Sequence, residues 1–318
     1  LIYSVRHLTK FRYAPAVRES ITEVRMQPRT EGNQHCLSFD LEVKPKAAIL
    51  QYRDFLGNTV HHFDIAAGHS ELRIQASSTV EMLPVPELPP GPAGSWSDLD
   101  ALVAEGDYWE MLLPSPFARP TPLLEELAGE LRVRERRGTP LEMLLDVNHG
   151  IHQSLAYAPN STRVDSPIDH ALGERKGVCQ DFAHIMIALV RRLRIPCRYV
   201  SGYLFQAKTD RALAPEGASH AWVEALAPGL GWVGLDPTND GFAGERHIRV
   251  AIGRDYSEVP PTRGIYKGGR ESELSVSVMV ALSGQALPSE DLAPATVLRR
   301  SPIPIDAAAG YADGAEQQ

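Results

Sequence analysis

Three residues of the 318-residue chain have the types and spacing of a nucleophile, a base and an orienting acid: Cys179, His220 and Asp236. Cys179 lies in the run Gly177-Val178-Cys179-Gln180-Asp181-Phe182-Ala183-His184. Phe182, Met186, Leu189 and Leu193 then recur at helical intervals, with Ile185 and Val190 broadening the stripe. That spacing predicts an amphipathic helix, and Pro196 sits just past its end. Gly177 precedes the helix, so Cys179 falls at its start. Unpaired backbone N–H groups and the positive end of the helix dipole favour a thiolate there. The same N–H groups can hold an oxyanion formed beside the sulfur. A lone buried cysteine is more commonly a small hydrophobe, so the reading needs the other two residues.

Those two lie on a predicted hairpin. Residues 220–226, His-Ala-Trp-Val-Glu-Ala-Leu, and 232–236, Trp-Val-Gly-Leu-Asp, each alternate like a strand. Ala227-Pro228-Gly229-Leu230-Gly231 between them is turn chemistry. A turn centred near residues 228–229 makes His220 and Asp236 direct or diagonal cross-strand neighbours. Directly opposed side chains have Cβ atoms about 4.5–5.5 Å apart. From there the carboxylate is expected to accept the imidazole Nδ1–H and leave Nε2 facing the thiol. That is the orienting role of the third member of a triad. Singly, His220 reads as a sheet-edge histidine and Asp236, before Pro237, as a strand-ending turn residue. Their joint arrangement with a helix-start cysteine points to covalent catalysis by a thiol.

The elements that must position these residues are legible in outline. Tyr3, Val5, His7, Thr9, Phe11 and Tyr13 occupy every second position, as do Leu37, Phe39, Leu41 and Val43, and Leu72, Ile74, Ala76, Ser78, Val80 and Met82. Period-two alternation predicts strands with one buried face, and Gly57-Asn58 offers a turn. Residues 1–83 therefore read as an antiparallel sandwich or small barrel. Pro84, Pro86, Pro89, Pro90 and Pro92 mark a stiff linker, with a helical connection assigned through residue 120. Thr121-Pro122 and Thr139-Pro140-Leu141-Glu142 are helix starts, the second a capping box. The catalytic unit is expected over 121–285. A mobile tail is expected over 286–318, which has few large apolar groups.

Composition bounds the class of protein. Apolar residues make up 43% of the chain and charged residues 23%, ordinary values for a globular protein with a sizeable core. A net charge of −8 argues against general binding to nucleic acid or anionic membranes. No stretch approaches the ~20 apolar residues of a membrane helix. Three cysteines make no disulfide framework, which favours a reducing compartment. The N-terminal residues lack the pattern of a signal peptide, so the expected location is the cytoplasm.

At these residues the chain resembles the transglutaminase-like superfamily, in its bacterial cysteine-protease branch with an N-terminal β domain. The resemblance rests on residues 177–184, on Arg198-Tyr199-Val200-Ser201-Gly202-Tyr203, on His220-Ala221-Trp222-Val223-Glu224, and on Trp232 with Asp236-Pro237-Thr238. A later match is Gly253-Arg254-Asp255-Tyr256-Ser257-Glu258-Val259-Pro260-Pro261. It implies an α+β, papain-like core in which a helix carrying Cys packs on an antiparallel sheet carrying His and Asp. Cys179 is then the nucleophile, His220 the base and Asp236 the orienting acid. Cys197 stands where the resemblance leads one to expect a small residue.

The reaction expected is hydrolysis of an amide or peptide bond through an acyl-thioester on Cys179. Acyl transfer to an amine at the same site, and a non-catalytic peptide-binding module, are the alternatives. Tyr157 and Gln180 are candidates for oxyanion or substrate contacts. No cofactor is expected, and no metal: His149 and His152 share a helix face but lack further ligands nearby, and His61 and His62 point to opposite faces of a strand. His184, about 140° around the helix from Cys179, is expected to pack. Arg198 and Glu224 are expected to form an ion pair. The substrate is a peptide or amide of unknown identity, and the oligomeric state is open.

Overall fold

The alternation at the start of the chain becomes a sheet built around one very long strand. The computed structural model describes residues 1–85, 94–206, 219–268 and 271–284, and the backbone of 296–300. In chain order come β1 (Ile2–Val24), β2 (Gln34–Lys44), β3 (Leu50–Arg53), β4 (Thr59–Ile65) and β5 (His69–Met82). The helical part follows with α1 (Trp96–Glu105), α2 (Pro122–Glu130), α3 (Pro140–Ser154), β6 (Ala156–Tyr157), α4 (Ile168–Glu174), β7 (Lys176–Gly177) and α5 (Cys179–Arg192). Then come β8 (Cys197–Leu204), β9 (His220–Ala227), β10 (Gly231–Asp236), β11 (Gly241–Phe242), β12 (His247–Gly253), β13 (Thr262–Gly268), β14 (Glu271–Leu282) and β15 (Thr296–Arg300). The architecture is α+β, with a curled antiparallel first sheet and a second, helix-backed sheet ordered β11-β10-β9-β8-β12.

The first sheet follows its residue pattern closely. Tyr3, Val5, His7, Thr9, Phe11 and Tyr13 are all buried, as are alternate residues of β5 from Leu72 to Met82. Strand β2 departs from its pattern at Leu37, which is exposed. Cys36 lies opposite Val80 and Ser38 opposite Thr79, so Leu37 is the extra residue of a bulge.

Along β1, one edge pairs with β5 and then β4, and the other with β14 and then β13. Thr262–Gly268 and Glu271–Leu282 thus hydrogen-bond into the first sheet, although the sequence reading assigned them to the catalytic unit. Their alternation suits either sheet, and only the pairing decides. Of the expected tail at 286–318, residues 296–300 pair with β14. The rest lies outside the described residues, as does the proline run from Pro86 to Pro92.

Both helix starts read from the sequence form. Thr139 Oγ1 accepts the Glu142 N–H at 3.2 Å while Glu142 Oε2 accepts the Thr139 N–H at 2.7 Å. Thr121 caps α2 through the Leu124 N–H. Helix α5 differs from the amphipathic expectation: every residue from Cys179 to Arg191 is buried. It is covered by α2, α3 and α4 and lies on β8 and β9, so its polar residues need partners inside the protein.

The two sheets meet along β12, whose free edge would otherwise expose backbone groups. Asn58 and Gln34 of the first sheet cover it with side-chain amides. Asn58 donates to Ile252 O and accepts from Ile252 N, both at 2.8 Å. Gln34 does the same with the Arg249 backbone at 2.8 and 2.7 Å.

Within the second sheet, Gly202 pairs with His220. A Cβ on Gly202 would lie 2.2 Å from Ile248 O and 2.5 Å from the Trp222 ring. Gly202→Ala is therefore expected to cost about 1–3 kcal/mol by overpacking. Thermal unfolding checks this, and an unchanged midpoint would mean that Trp222 and β12 yield freely.

Candidate active site

The start of α5 is built to hold Cys179 in a fixed place. Asp181 at the third helical position accepts the Val178 N–H at 2.9 Å and the Thr162 hydroxyl at 2.5 Å. A Cβ on Gly177 would sit 2.8 Å from that carboxylate, so the glycine leaves room for the cap. Burial raises the Asp181 pKa, and the bonds from Thr162 and Val178 oppose it without cancelling it. Residue 177 also pairs, in parallel, with Tyr157 of β6. The side chain of Cys179 is buried at the first helical position.

His220 and Asp236 meet across the β9–β10 hairpin as expected, but in a different orientation. Leu235 lies opposite Val223, so Asp236 falls one step further, beside Trp222, and is diagonal to His220. The diagonal offset is spanned by the outer ring nitrogen: Nε2, not Nδ1, stands 2.7 Å from Asp236 Oδ2. Nδ1 is the nitrogen left over, and it makes no hydrogen bond of good geometry. The Cys179 thiol is nevertheless near enough to raise the ring's pKa through hydrogen bonding and charge. Nucleophile–base contacts are commonly loose in unliganded sites.

Asp236 is 1% exposed and accepts five hydrogen bonds. Oδ1 takes the backbone N–H groups of Thr238 at 3.0 Å and Asn239 at 3.2 Å. Oδ2 takes His220, the Asn239 amide at 2.7 Å and His247 Nε2 at 3.0 Å. Burial alone would raise the Asp236 pKa. The charge and hydrogen bond of His220, then those of His247, outweigh it and hold the carboxyl well below its usual range. For His220 burial alone would lower the pKa. The Asp236 charge and hydrogen bond, with smaller contributions from Cys179, bring it up to about 10.

His247 is the residue that sequence reasoning missed. It opens β12, eleven residues beyond Asp236, and no spacing rule links it to β10. Its Nδ1 accepts the Gly244 N–H at 3.2 Å, so its proton sits on Nε2 and is donated to Asp236. The ring stands edge-on to Trp222 at 5.1 Å. Ligand atoms of His220, Asp236 and His247 all lie within 4.8 Å of one another, a grouping that could hold a metal ion. The fit is poor: a metal on His247 Nε2 would force the proton onto Nδ1, against the Gly244 N–H.

The remaining site candidates separate. Tyr157 is brought to the cluster: burial, and then the charges of Cys179, Asp181 and Asp236, raise its pKa strongly. Gln180 donates its amide nitrogen to Val164 O at 2.9 Å, and its Oε1 is buried without a hydrogen-bond partner. Arg198 and Glu224 form the expected ion pair, 2.6 Å at the closest, and the guanidinium lies 4.3 Å above the Trp232 ring. His149 bonds Asp240 at 2.7 Å and His152 bonds Thr238 O at 3.0 Å, so both steady the loop after Asp236. Burial lowers the pKa of His184 to about 4. Its Nε2 accepts the Tyr256 N–H. Asp255 caps the turn that follows through Ser257 and holds the Phe117 N–H at 2.9 Å. The Asp255-Tyr256 motif is thereby a clamp between α5 and the segment before α2.

A helix-borne cysteine facing a histidine–aspartate pair on an antiparallel sheet defines a papain-like core. The family comparisons give the same class. Residues 3–81 match the model of the bacterial transglutaminase-like N-terminal region, and residues 128–237 match the transglutaminase-like superfamily. An uncharacterised protein of Mycobacterium leprae is 34% identical over 87% of this chain and 97% of its own length. Another from Mycobacterium tuberculosis is 34% identical over 90% and 94%. A solved structure from Cytophaga hutchinsonii, described as a candidate cysteine protease, aligns with a TM-score of 0.70 at 19% identity, covering 92% of both chains. A protein-glutamine gamma-glutamyltransferase of Pseudomonas aeruginosa is 32% identical over 122 residues, 37% of this chain and 18% of that protein. The chain belongs to the bacterial branch of the transglutaminase-like superfamily. Among the described residues, no helix is long and apolar enough to cross a membrane.

Proposed function

We propose that the protein is a thiol enzyme acting on amide or peptide bonds, with Cys179 as nucleophile, His220 as base and acid, and Asp236 as the orienting carboxylate. The observation that carries this reading is the buried His220–Asp236 pair, whose second ring nitrogen has no other hydrogen-bond partner while Cys179 acts on the same ring. A peptide or amide would be the substrate. Its carbonyl is attacked by the Cys179 sulfur, the electron pair moves to the carbonyl oxygen, and a tetrahedral oxyanion forms. The N–H of Cys179, at the first helical position, has no acceptor within the helix and suits that oxyanion. The Tyr157 hydroxyl, whose proton is strongly held, is a second donor candidate. Collapse of the intermediate expels the amine, which takes its proton from the His220 imidazolium and leaves an acyl-thioester. Water or a second amine then attacks the thioester, with His220 accepting the proton.

Hydrolysis is favoured over transfer here because nothing in the sequence sets the exclusion of water that transfer to an amine requires. The matched segment of the Pseudomonas aeruginosa glutamyltransferase supports the transfer reading. The test is the rate of Cys179 carboxamidomethylation by iodoacetamide at pH 6, followed by peptide mass spectrometry. Wild type should react at least tenfold faster than His220→Ala. Equal rates, both matching a free thiol, would overturn the proposal. Product mass with an added primary amine then distinguishes hydrolysis from transfer.

A further inference from the structure

We infer that His247 is a positioning residue of this site: its Nε2–H, in a tautomer set by the Gly244 N–H, holds Asp236 Oδ2 in line with His220 Nε2. The inference rests on the thiol-enzyme reading above. Three observations carry it. First, the distances are those of formed bonds, 3.0 Å to Asp236 and 3.2 Å from Gly244. Second, both ring nitrogens are committed in complementary senses, so the ring can only be a neutral donor toward the carboxylate. It therefore satisfies a lone pair of Asp236 without neutralising the charge that His220 needs. Third, the ring sits between two aromatic neighbours on a strand held at both edges. Trp222 meets it edge-on at 5.1 Å, His220 lies at 6.0 Å, and its strand is held by β8 on one edge and by Gln34 and Asn58 on the other.

The charged and titratable groups facing this ring are Asp236 from β10, His220 from β9 and its chain neighbour Arg246. Those facing His220 are Asp236 and Cys179. Tyr157 faces the Cys179 and Asp236 end of the cluster. Protonating His247 at Nδ1 would break the Gly244 bond and set a second cation beside the His220 imidazolium. Burial, and to a lesser degree His220 and Arg246, oppose this, while the Asp236 bond and charge favour it; the net effect keeps the ring neutral.

Without the ring, Oδ2 keeps His220 and Asn239 as donors and Oδ1 keeps its two backbone donors, so the carboxylate is held on the His220 axis by one bond fewer. The imidazolium then loses part of its counter-charge and the thiolate becomes harder to maintain. The test is the pH profile of Cys179 alkylation in the full chain for wild type, His247→Ala and His247→Gln. Glutamine can still donate an amide hydrogen to Asp236. The expected result for His247→Ala is an acid limb moved upward by about one pH unit, with a rate at pH 6 lowered about tenfold. His247→Gln should return to within about threefold of wild type. Three proteins with superimposable profiles would overturn the inference while leaving the triad reading intact, because the His220→Ala comparison is independent. Equal losses in His247→Ala and His247→Gln, with native circular dichroism, would also overturn it, since the ring would then act by packing alone. If His247→Ala fails to fold, the His247→Gln and His247→Phe pair decides. Phenylalanine keeps an aromatic ring without the donor and should behave like the alanine variant; a wild-type profile there would overturn the inference.

Discussion

Asp236→Asn will leave the thiol in place and remove its reactivity. The carboxylate is the acceptor for five donors and the only anion against His220 among the described groups that act on it, apart from Cys179 itself. An amide offers one oxygen. Its NH2 end must face either the backbone donors at Thr238 and Asn239 or the side-chain donors at the other oxygen. One set is then opposed donor to donor, and His220 is pushed toward the wrong tautomer. Loss of the orienting acid in a triad lowers turnover by about 10⁴. A fall of 10³–10⁴ (about 4–5.5 kcal/mol in barrier) is expected here in any acyl-transfer assay. Alkylation of Cys179 at pH 6 should drop to the rate of an ordinary thiol.

The same substitution should reshape the dependence of stability on pH. Asp236 has a folded-state pKa well below its ordinary 3.8, so its contribution is present above that value and is lost as pH falls through the depressed one. His220 has a folded-state pKa of about 10 against an ordinary 6.5, so its contribution is full below pH 6.5 and is lost as pH rises through about 10. The gap in unfolding midpoint between wild type and Asp236→Asn should therefore be widest between about pH 4 and pH 6.5 and close toward pH 10. A gap that is constant with pH would show that the pair contributes only packing.

Arg191→Met is expected to produce the largest loss of stability outside the site. The guanidinium is 5% exposed and makes four bonds: to Met111 O at 3.0 Å, Ser115 Oγ at 3.0 Å, Cys197 O at 3.3 Å and Arg254 O at 2.8 Å. It ties the last turn of α5 to the segment before α2, to the start of β8 and to the turn after β12. Methionine has similar length and no donors, so the acceptors stay buried without partners. Each such group costs about 1–3 kcal/mol, and an overall loss of about 3–5 kcal/mol follows once partial relaxation is allowed. Urea denaturation measures it. A change under 1 kcal/mol would mean that water replaces the arginine at little cost.

The residues that carry local rules announced themselves, and those that depend on distant pairing did not. Thr139, Pro140 and Glu142 make the capping box their spacing requires, because a cap is settled within four residues. The helix start at Cys179 and the hairpin between His220 and Asp236 were legible for the same reason. The nitrogen that meets Asp236 was not, because a one-residue change in hairpin register turns a direct pair into a diagonal one. Helix α5 kept its period but lost its wet face, since the partners of Gln180, Asp181, His184 and Arg191 come from 162–164, from 111–115 and from 254–256. Leu37 looked like a core residue until the bulge displaced it. His247 has no local signal at all: its partner is across the sheet and its tautomer is set by a backbone group.

Strand β1 has one edge completed by residues that follow within the first 82 and the other by residues 262–282. On the ribosome, elongating at about 5–20 residues per second, the second edge must wait on the order of 10–50 s for its partners to emerge. Through that interval the nascent first sheet carries an open flank beside the apolar row from Tyr3 to Tyr13. Arg6, Lys10 and Arg12 alternate with that row on the opposite face. Charged side chains along such an edge are of the kind that discourages edge-to-edge association until the chain's own late strands arrive.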